Sequence, residues 1–256
     1  MATTPRIPPA PQPELYRFSA LDLTVVGLYV AVAGLFTVAG GLLAPFVRQL
    51  APSSAAASYA VNLVFYGSIG ILALAAARGV VARDLRVLAT RPWFTLLMVP
   101  TAVVAMLILT AVVVTAGGGV RTSANQAGLQ ALMQQVPAWL MVPVLVVVGP
   151  FVEEYIFRHL LIGKLSRRLN VWLCCALSMV LFAGIHIAGR QAITFSALLP
   201  YLAMGATLVF VYVWTGRNLM FSYFVHAAKN LLAVIFTYAI PPELFEQIQQ
   251  IQQIQP

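Results

Sequence analysis

Residues 137–157 read PAWLMVPVLVVVGPFVEEYIF, and this stretch decides the fold class of the chain. An apolar run of this length can cross the hydrocarbon core of a bilayer, which takes about 20 residues of helix. A helix also satisfies its own backbone polar groups where no water is available. The stretch therefore predicts a transmembrane helix, and the two adjacent glutamates inside it need a separate explanation.

Six further segments have similar length and apolarity, at 21–43, 58–77, 93–116, 171–189, 196–215 and 219–240. Of all 256 residues, 61% are hydrophobic and only 9% are charged. Soluble domains have about 25% charged residues, so this composition excludes an ordinary water-soluble protein. We predict an all-α fold, a polytopic membrane helix bundle with about seven transmembrane helices.

The chain divides into four predicted parts. Residues 1–20 form a disordered, proline-rich tail, and residues 21–136 hold the first three membrane helices and a surface segment. Residues 137–240 form a core of four helices, and residues 241–256 form an amphipathic tail. Within the surface segment, a glycine run followed by polar residues predicts a short helix.

The distribution of positive charge predicts the orientation of the chain. The net charge of +8 comes from 15 Lys and Arg against seven Asp and Glu. The cations lie in loops between apolar runs, which indicates membrane topology rather than nucleic-acid binding. With the N-terminus inside, ten cations fall in inner loops and three in outer loops. We therefore expect a plasma (inner) membrane protein with a cytoplasmic N-terminus and an external C-terminus, whose partner is the lipid bilayer.

The fourth segment carries three charged residues in an apolar helix. A charge at the bilayer centre costs about 2.5–3.5 kcal/mol, so Glu153, Glu154 and Arg158 require a role. Glu154 and Arg158 stand four residues apart and can pair along the helix. Such pairing leaves Glu153 as the freer carboxylate and a candidate general base. Pro150 removes a backbone hydrogen bond and predicts a kink just before the glutamates.

The histidines add polar residues on other helices. His186 lies in the fifth segment, and His226 shares a helix face with Asn230 in the seventh. A lone buried histidine is usually an interhelical hydrogen-bonding residue. Polar residues on three membrane helices favour a catalytic site instead. His159 is expected to be a packing residue. For Lys229, two explanations stay open: pairing with Glu154, or extension of its side chain to the membrane surface.

The spacing of these residues indicates a common depth. Glu153 and His186 are 33 residues apart, with a midpoint beside Asn170. If the helices form a hairpin there, both residues lie about 25 Å from the turn. His226 lies nine residues beyond Arg217, or about 14 Å deep. The carboxylates and both histidines are therefore expected in one layer near mid-bilayer.

These residues form three motifs in order: Glu153-Glu154-x-x-x-Arg158, Phe182-x-x-x-His186 and His226-x-x-x-Asn230. The ordered set resembles the type II CAAX prenyl protease family, also called the CPBP or abortive-infection (ABI) family of intramembrane proteases. The resemblance covers roughly residues 137–235. It implies an intramembrane endopeptidase whose partner is a peptide or membrane-protein substrate.

The resemblance also implies a role for each motif. Glu153 would activate water with the assistance of His186. His226 and Asn230 would polarise the scissile carbonyl or stabilise its oxyanion. The second glutamate and the arginine of the first motif would organise the site.

The cofactor is a separate question. Glu153, His186 and His226 have the donor types of an open catalytic Zn²⁺ site, and the family is commonly called a metalloprotease. A metal-free glutamate and histidine mechanism fits the same residues. The zinc-dependent mechanism and the metal-free mechanism both stay open at this point.

Two other classes of function use similar residues. A proton-coupled transporter can be built on intramembrane Glu and His, but carriers usually contain internal repeats and none is visible in this sequence. A non-catalytic membrane scaffold or immunity protein would not need the intact motif set. The sequence predicts no oligomeric state.

Overall fold

The computed structural model describes residues 13–49, 51–118, 123–188 and 193–240. Within these ranges the helices are α1 (Ala20–Gln49), α2 (Ser54–Ala89), α3 (Pro92–Ala116), α4 (Ala124–Met133), α5 (Ala138–Arg167), α6 (Val171–Ile187), α7 (Phe195–Trp214) and α8 (Leu219–Ala239). Six of these helices are long and apolar enough to cross a membrane, and α6 is a shorter apolar helix. The predicted helical membrane bundle is confirmed. The short helix α4 lies in the segment where a surface helix was expected.

The described chain starts inside the segment that was expected to be a disordered tail. Residues Pro13–Tyr16 form one turn of 3₁₀ helix, and the Tyr16 side chain is only 1% exposed. Packing of this aromatic ring explains why Pro13–Tyr16 are structured although the sequence predicted a disordered tail up to residue 20. Residues 1–12 and the predicted amphipathic tail at 241–256 lie outside the described residues.

Helix α2 is longer than the sequence predicted. The apolar segment ends at residue 77, yet the helix runs 36 residues to Ala89, which is about 54 Å. Arg78, Arg83 and Arg86 therefore lie on the helix rather than in a loop. A hydrocarbon core of about 30 Å leaves the last turns of α2 beyond it.

Buried charges join the chain segments at one end of the bundle. This charged end cluster consists of Tyr16, Asp22, Arg83, Asp84, Lys164 and Arg217. Lys164 Nζ donates to Asp22 Oδ2 at 2.6 Å, which joins the end of α5 to the start of α1. Asp84 Oδ2 accepts a bond from the Leu219 backbone N–H at 2.6 Å, which joins the end of α2 to the start of α8. The segments predicted as inner loops therefore meet at the same end.

Helix α5 lies in the middle of the bundle and α1 lies at its edge. Helix α5 packs against α2, α6 and α8, while α3 packs on α7 and α8. In the most apolar window of each helix, 61% of α5 is buried and none of α1 is. Val38 of α1, for example, is 88% exposed. Apolar side chains on this outer face suit contact with lipid tails.

Candidate active site

Helix α5 is irregular where it carries the glutamates. Pro143–Val148 and Tyr155–Lys164 are π-helical and flank a short α-helical stretch that holds both carboxylates. The Gly149 N–H bonds to the Val144 carbonyl, five residues earlier. Pro150 has no N–H to donate, so the wide turn satisfies the backbone around it. The sequence predicted a kink at Pro150, and the structure shows π-helical turns, which are frequent at functional sites.

Glu154 is fully buried and holds α5 and α8 together. Its Oε2 lies 3.3 Å from Arg158 Nε and accepts a hydrogen bond from Ser222 Oγ at 2.7 Å. Its Oε1 lies 3.0 Å from His226 Nδ1. The predicted pairing of Glu154 with Arg158 is confirmed. A carboxylate with a cation and two hydrogen-bond donors is stabilised in its ionised form.

Arg158 is fully buried and extends the contact to two more helices. Its guanidinium carbon lies 4.5 Å from the centre of the Phe182 ring, in cation–π geometry. Nη2 donates to the Gly205 carbonyl at 3.5 Å. The arginine therefore neutralises Glu154 and contacts both α6 and α7.

Glu153 is the carboxylate that faces both histidines. Its Oε2 lies 3.7 Å from His226 Nε2 and 3.8 Å from His186 Nε2. Its Oε1 accepts a hydrogen bond from the Tyr66 hydroxyl at 3.2 Å. Side chains from α5, α6 and α8 therefore converge on one point, and the expected common layer is confirmed.

The hydrogen bonds assign the tautomers of the two histidines. His186 Nδ1 lies 2.7 Å from the Phe182 carbonyl, which can only accept, so Nδ1 carries the proton. His226 Nδ1 likewise donates to the ionised Glu154. In the neutral rings, both Nε2 atoms then present lone pairs toward Glu153 Oε2. Because three acceptors meet there, whatever binds between them must be a donor or a cation.

Asn230 and Lys229 lie one turn further along α8. Asn230 Nδ2 donates to the Leu145 carbonyl at 2.9 Å, and its Oδ1 accepts from Lys229 Nζ at 3.4 Å. Both residues line the cavity next to Glu153. The proposed pairing of Lys229 with Glu154 is wrong, because Arg158, Ser222 and His226 hold the Glu154 oxygens.

His159 is a packing residue, as predicted. It is fully buried, and its ring centre lies 5.3 Å from that of Tyr16 and 5.8 Å from that of Tyr155. The structure does not bring it to Glu153.

A cavity of about 380 Å³ opens beside the converging side chains. Its lining includes Glu153, His186 and His226, and its volume lies in the lower range of small-molecule sites. Helices α1, α2 and α4 complete the wall, with Tyr66 among their residues. The N-terminal helices are therefore part of the site.

The predicted zinc ligands lie slightly further apart than the ligands of a bound zinc ion. Ligands about 2.1 Å from a tetrahedral zinc are about 3.4 Å apart, whereas Glu153 Oε2 is 3.7 and 3.8 Å from the two histidines. Across the described ranges, no group of three or more His, Cys, Asp or Glu side chains has the arrangement to hold a metal ion. Zinc binding stays a prediction, and no catalytic step is derived from it.

Three contacts in the site were not predicted. Ser222 stands four residues before His226 on the same helix face, a spacing that the sequence does show. Tyr201 stacks on His186 with ring centres 4.6 Å apart, and its hydroxyl lies 2.6 Å from Ser123 Oγ. Tyr66 comes from α2, and its sequence surroundings contain no signal of a role.

The motif-bearing part of the chain matches a known family. Residues 135–232 match the family described as type II CAAX prenyl endopeptidase, Rce1-like. The resemblance predicted from the three motifs is therefore confirmed over the segment that carries them. No solved structure was found to match the chain.

Two bacterial proteins are similar to parts of the chain. A Bacillus subtilis (strain 168) protein named "Putative membrane peptidase YdiL" is 35% identical over 115 residues, which are 45% of this chain and 43% of that protein. A Staphylococcus aureus (strain USA300) protein named "Membrane-embedded CAAX protease MroQ" is 28% identical over 169 residues, 62% of this chain and 63% of that protein. The matches span less than two thirds of either relative.

Proposed function

We propose that this chain is an intramembrane endopeptidase of the CAAX/CPBP type, which hydrolyses a peptide bond near mid-bilayer. The observation that carries the proposal is the convergence of Glu153, His186 and His226 on one point beside a cavity within the membrane bundle. The family match and the names of the two relatives support it. The substrate is a peptide or a membrane-protein segment.

The acceptors around Glu153 suit the activation of water. One O–H group of the water donates to Glu153 Oε2, and its second O–H group donates to a histidine Nε2. A lone pair of the water oxygen is then directed into the cavity. Proton transfer to a positioned base of this kind contributes about 10²–10⁴-fold to a rate. Glu153 is the base, since Glu154 is occupied by Arg158, Ser222 and His226.

Hydrolysis then takes place in two balanced steps. The water oxygen forms a bond to the carbonyl carbon, the π electron pair moves to the carbonyl oxygen, and the water proton goes to Glu153. When the C–N bond breaks, the oxyanion pair re-forms the carbonyl, and the proton that Glu153 took from water goes to the amine nitrogen, which restores the Glu153 carboxylate. His226 Nε2, which lies 3.7 Å from Glu153 Oε2, can carry that proton between them because Glu154 stabilises the imidazolium from the other side of the ring.

The orientation is part of the proposal. We place the N-terminus in the cytoplasm and the C-terminus outside the plasma membrane, because the charged end cluster gathers cations predicted for the inner side. Fusions to the C-terminus test this orientation. With seven membrane crossings the C-terminus lies outside, so we expect an alkaline phosphatase fusion to be active and a fluorescent protein fusion to be dark. The reverse result would contradict seven crossings with this orientation, since a helix as short as α6 that failed to cross would leave the C-terminus inside.

The activity is tested with purified protein in liposomes. Wild type, Glu153→Ala and His226→Ala are assayed on a fluorogenic peptide library, with Glu14→Ala as a control at an exposed glutamate outside the site. We expect wild type and Glu14→Ala to cleave and the two site variants to be inactive while folded. Metal analysis of the same samples tests zinc: stoichiometric zinc that is lost in His226→Ala would establish a metal centre.

The other classes of function predict different outcomes. If folded wild type cleaves no peptide but supports a proton flux that Glu153→Ala abolishes, the protein is a carrier. If it shows neither activity, a scaffold or immunity role replaces the proposal.

A further inference from the structure

Lys229 is a charged residue at the centre of a membrane helix, and the mechanism above does not use it. It is the eleventh of the 21 residues of α8, so about 15 Å of helix separates it from either end. This distance is too long for its side chain to reach water at the membrane surface. A charge in this position is expected to be functional.

Within the described ranges, the ammonium group is held in the cavity with no carboxylate at ion-pair distance. Nζ donates to Asn230 Oδ1 at 3.4 Å, and Lys229 lines the cavity together with Glu153 and His186. In the part of the chain that the structure describes, no carboxylate oxygen lies within 4.0 Å of Nζ. An ammonium has three N–H donors, so two remain for another group.

The neighbouring residues of α8 are short of donors. His226 uses its Nδ1 proton on Glu154, and its Nε2 has none in the neutral ring. Asn230 uses one of its two N–H bonds on the Leu145 carbonyl. Of these three polar residues on one face of α8, Lys229 therefore has the most donors available and the only positive charge.

We propose that the Lys229 ammonium, held by Asn230, is a catalytic residue that binds the carbonyl oxygen of the scissile bond and stabilises the oxyanion. This inference rests on the proposed endopeptidase function and adds a residue to it. The resemblance assigned this task to His226 and Asn230. With Lys229 as the electrostatic donor, His226 is free to move protons.

The charges of the site balance throughout the step. Before reaction, Glu153 and Glu154 carry two negative charges, and Arg158 and Lys229 carry two positive ones. As water attacks, its proton neutralises Glu153, while the electron pair of the broken π bond puts a negative charge on the carbonyl oxygen. The negative charge thus moves from Glu153 to an atom in contact with Lys229. In a site buried within the membrane bundle, a fixed cation at this position stabilises the transition state strongly.

Rate measurements test the proposal. We expect Lys229→Met to lower kcat by about 10²–10³-fold with a change in KM of less than about threefold, and Lys229→Arg to recover part of the loss. Arg86→Met, which removes a cation from an exposed position of α2 outside the cavity, is the matched control and should stay within about threefold of wild type. An increase in KM with kcat unchanged would overturn the inference, because it would indicate ground-state binding.

Binding measurements provide a second readout. An anionic phosphinate analogue mimics the oxyanion, and an uncharged ketone analogue of the same peptide does not. We expect Lys229→Met to weaken phosphinate binding about 10²-fold relative to ketone binding, by the same charge stabilisation. Equal losses for both analogues would overturn the role of Lys229 and leave the endopeptidase proposal intact. Absence of cleavage by wild type, with no binding of either analogue, would remove both proposals.

Discussion

Two identical neighbours, Glu153 and Glu154, have different surroundings and therefore different tasks. Glu154 has an arginine, a serine and a histidine on its oxygens and is fully buried. Among the residues that the structure describes, Glu153 accepts one hydrogen bond, from Tyr66, and it faces the two histidine lone pairs. The surroundings of Glu154 keep its carboxylate ionised, whereas those of Glu153 leave a carboxylate that can exchange a proton.

This difference predicts that the same substitution strongly destabilises the protein at Glu154 and barely at Glu153. Glu154→Gln leaves Arg158 as an uncompensated buried charge, so we expect it to lower the free energy of unfolding by about 3–5 kcal/mol. Glu153→Gln breaks no ion pair with a permanent cation, and we expect a loss below about 1 kcal/mol. Unfolding of both variants in detergent by a denaturant titration measures the difference. Equal stabilities would contradict the assignment of Glu154 as the structural member.

Among individual residues, the sequence identifies those members of the site whose charge or polarity is costly inside a membrane. Glu153, Glu154, Arg158, His186 and His226 stand out because a charge or imidazole in an apolar helix needs a reason. Tyr66 does not stand out, since a tyrosine is ordinary in a membrane helix and its contact with Glu153 spans 87 residues of chain. Pairing with Glu154 was one of the two explanations left open for Lys229, and it is wrong because sequence spacing does not show which cations have already satisfied a carboxylate.

At the scale of elements, the contact between α2 and α5 positions the site, because α2 carries Tyr66 and α5 carries Glu153. The helices approach closely at Gly70. A Cβ atom there would lie 2.6 Å from Val148 Cγ1 and 3.7 Å from Val152 Cγ2. Valine side chains have little freedom to move away, so the glycine is needed for this approach.

A pair of glycine substitutions tests that contact. Gly70→Ala is expected to destabilise the protein by about 1–3 kcal/mol through overpacking and to slow cleavage by displacing Tyr66. Gly67→Ala, on the same helix with no atom within 4 Å of the added Cβ, is expected to be neutral or to stabilise by up to about 1 kcal/mol. Thermal unfolding in detergent compares the two. A Gly70→Ala protein as stable as Gly67→Ala would show that α2 and α5 are not in tight contact.

Hydropathy predicts the membrane-spanning elements and misses their ends. The extension of α2 to Ala89 follows from helix-forming residues such as Ala, Arg and Leu, which continue the helix after the apolar pattern stops. The π-helical turns of α5 flank the stretch Gly149–Glu154, which packs against α2 and α8. Local sequence does not contain that information.

At the scale of the whole molecule, the charged end cluster joins the N-terminal helices to the family-matched segment. The buried pair of Asp22 and Lys164 connects α1 to α5, and Asp84 caps the start of α8. The cavity wall also includes residues of α1 and α2. The first three helices carry no motif, but the bundle and its cavity depend on them.

A double-mutant cycle tests this link. Asp22→Asn and Lys164→Met each leave a buried partner without its counter-charge and should each cost about 3–5 kcal/mol. The double variant leaves neither charge, so its loss should be smaller than the sum of the single losses by about 0.5–3 kcal/mol, the coupling usual for contacting residues. Additive losses would show that the two residues do not interact.

The sequence predicted only part of the arrangement of the helices in the bundle. Counting residues from the turns places Glu153, His186 and His226 at one depth, and the structure confirms it. Which helices are neighbours depends on contacts between distant parts of the chain. The passage of α1, α2 and α4 around the cavity therefore could not be inferred from spacing alone.

The most direct test of Glu153-activated hydrolysis is cleavage in H₂¹⁸O, with mass spectrometry of both products. We predict that wild type places one ¹⁸O in the new carboxyl group and that Glu153→Gln, folded in the same liposomes, cleaves about 10²–10⁴-fold more slowly. Cleavage by Glu153→Gln at the wild-type rate, or products without ¹⁸O from the first turnover, would contradict a water molecule activated by this carboxylate.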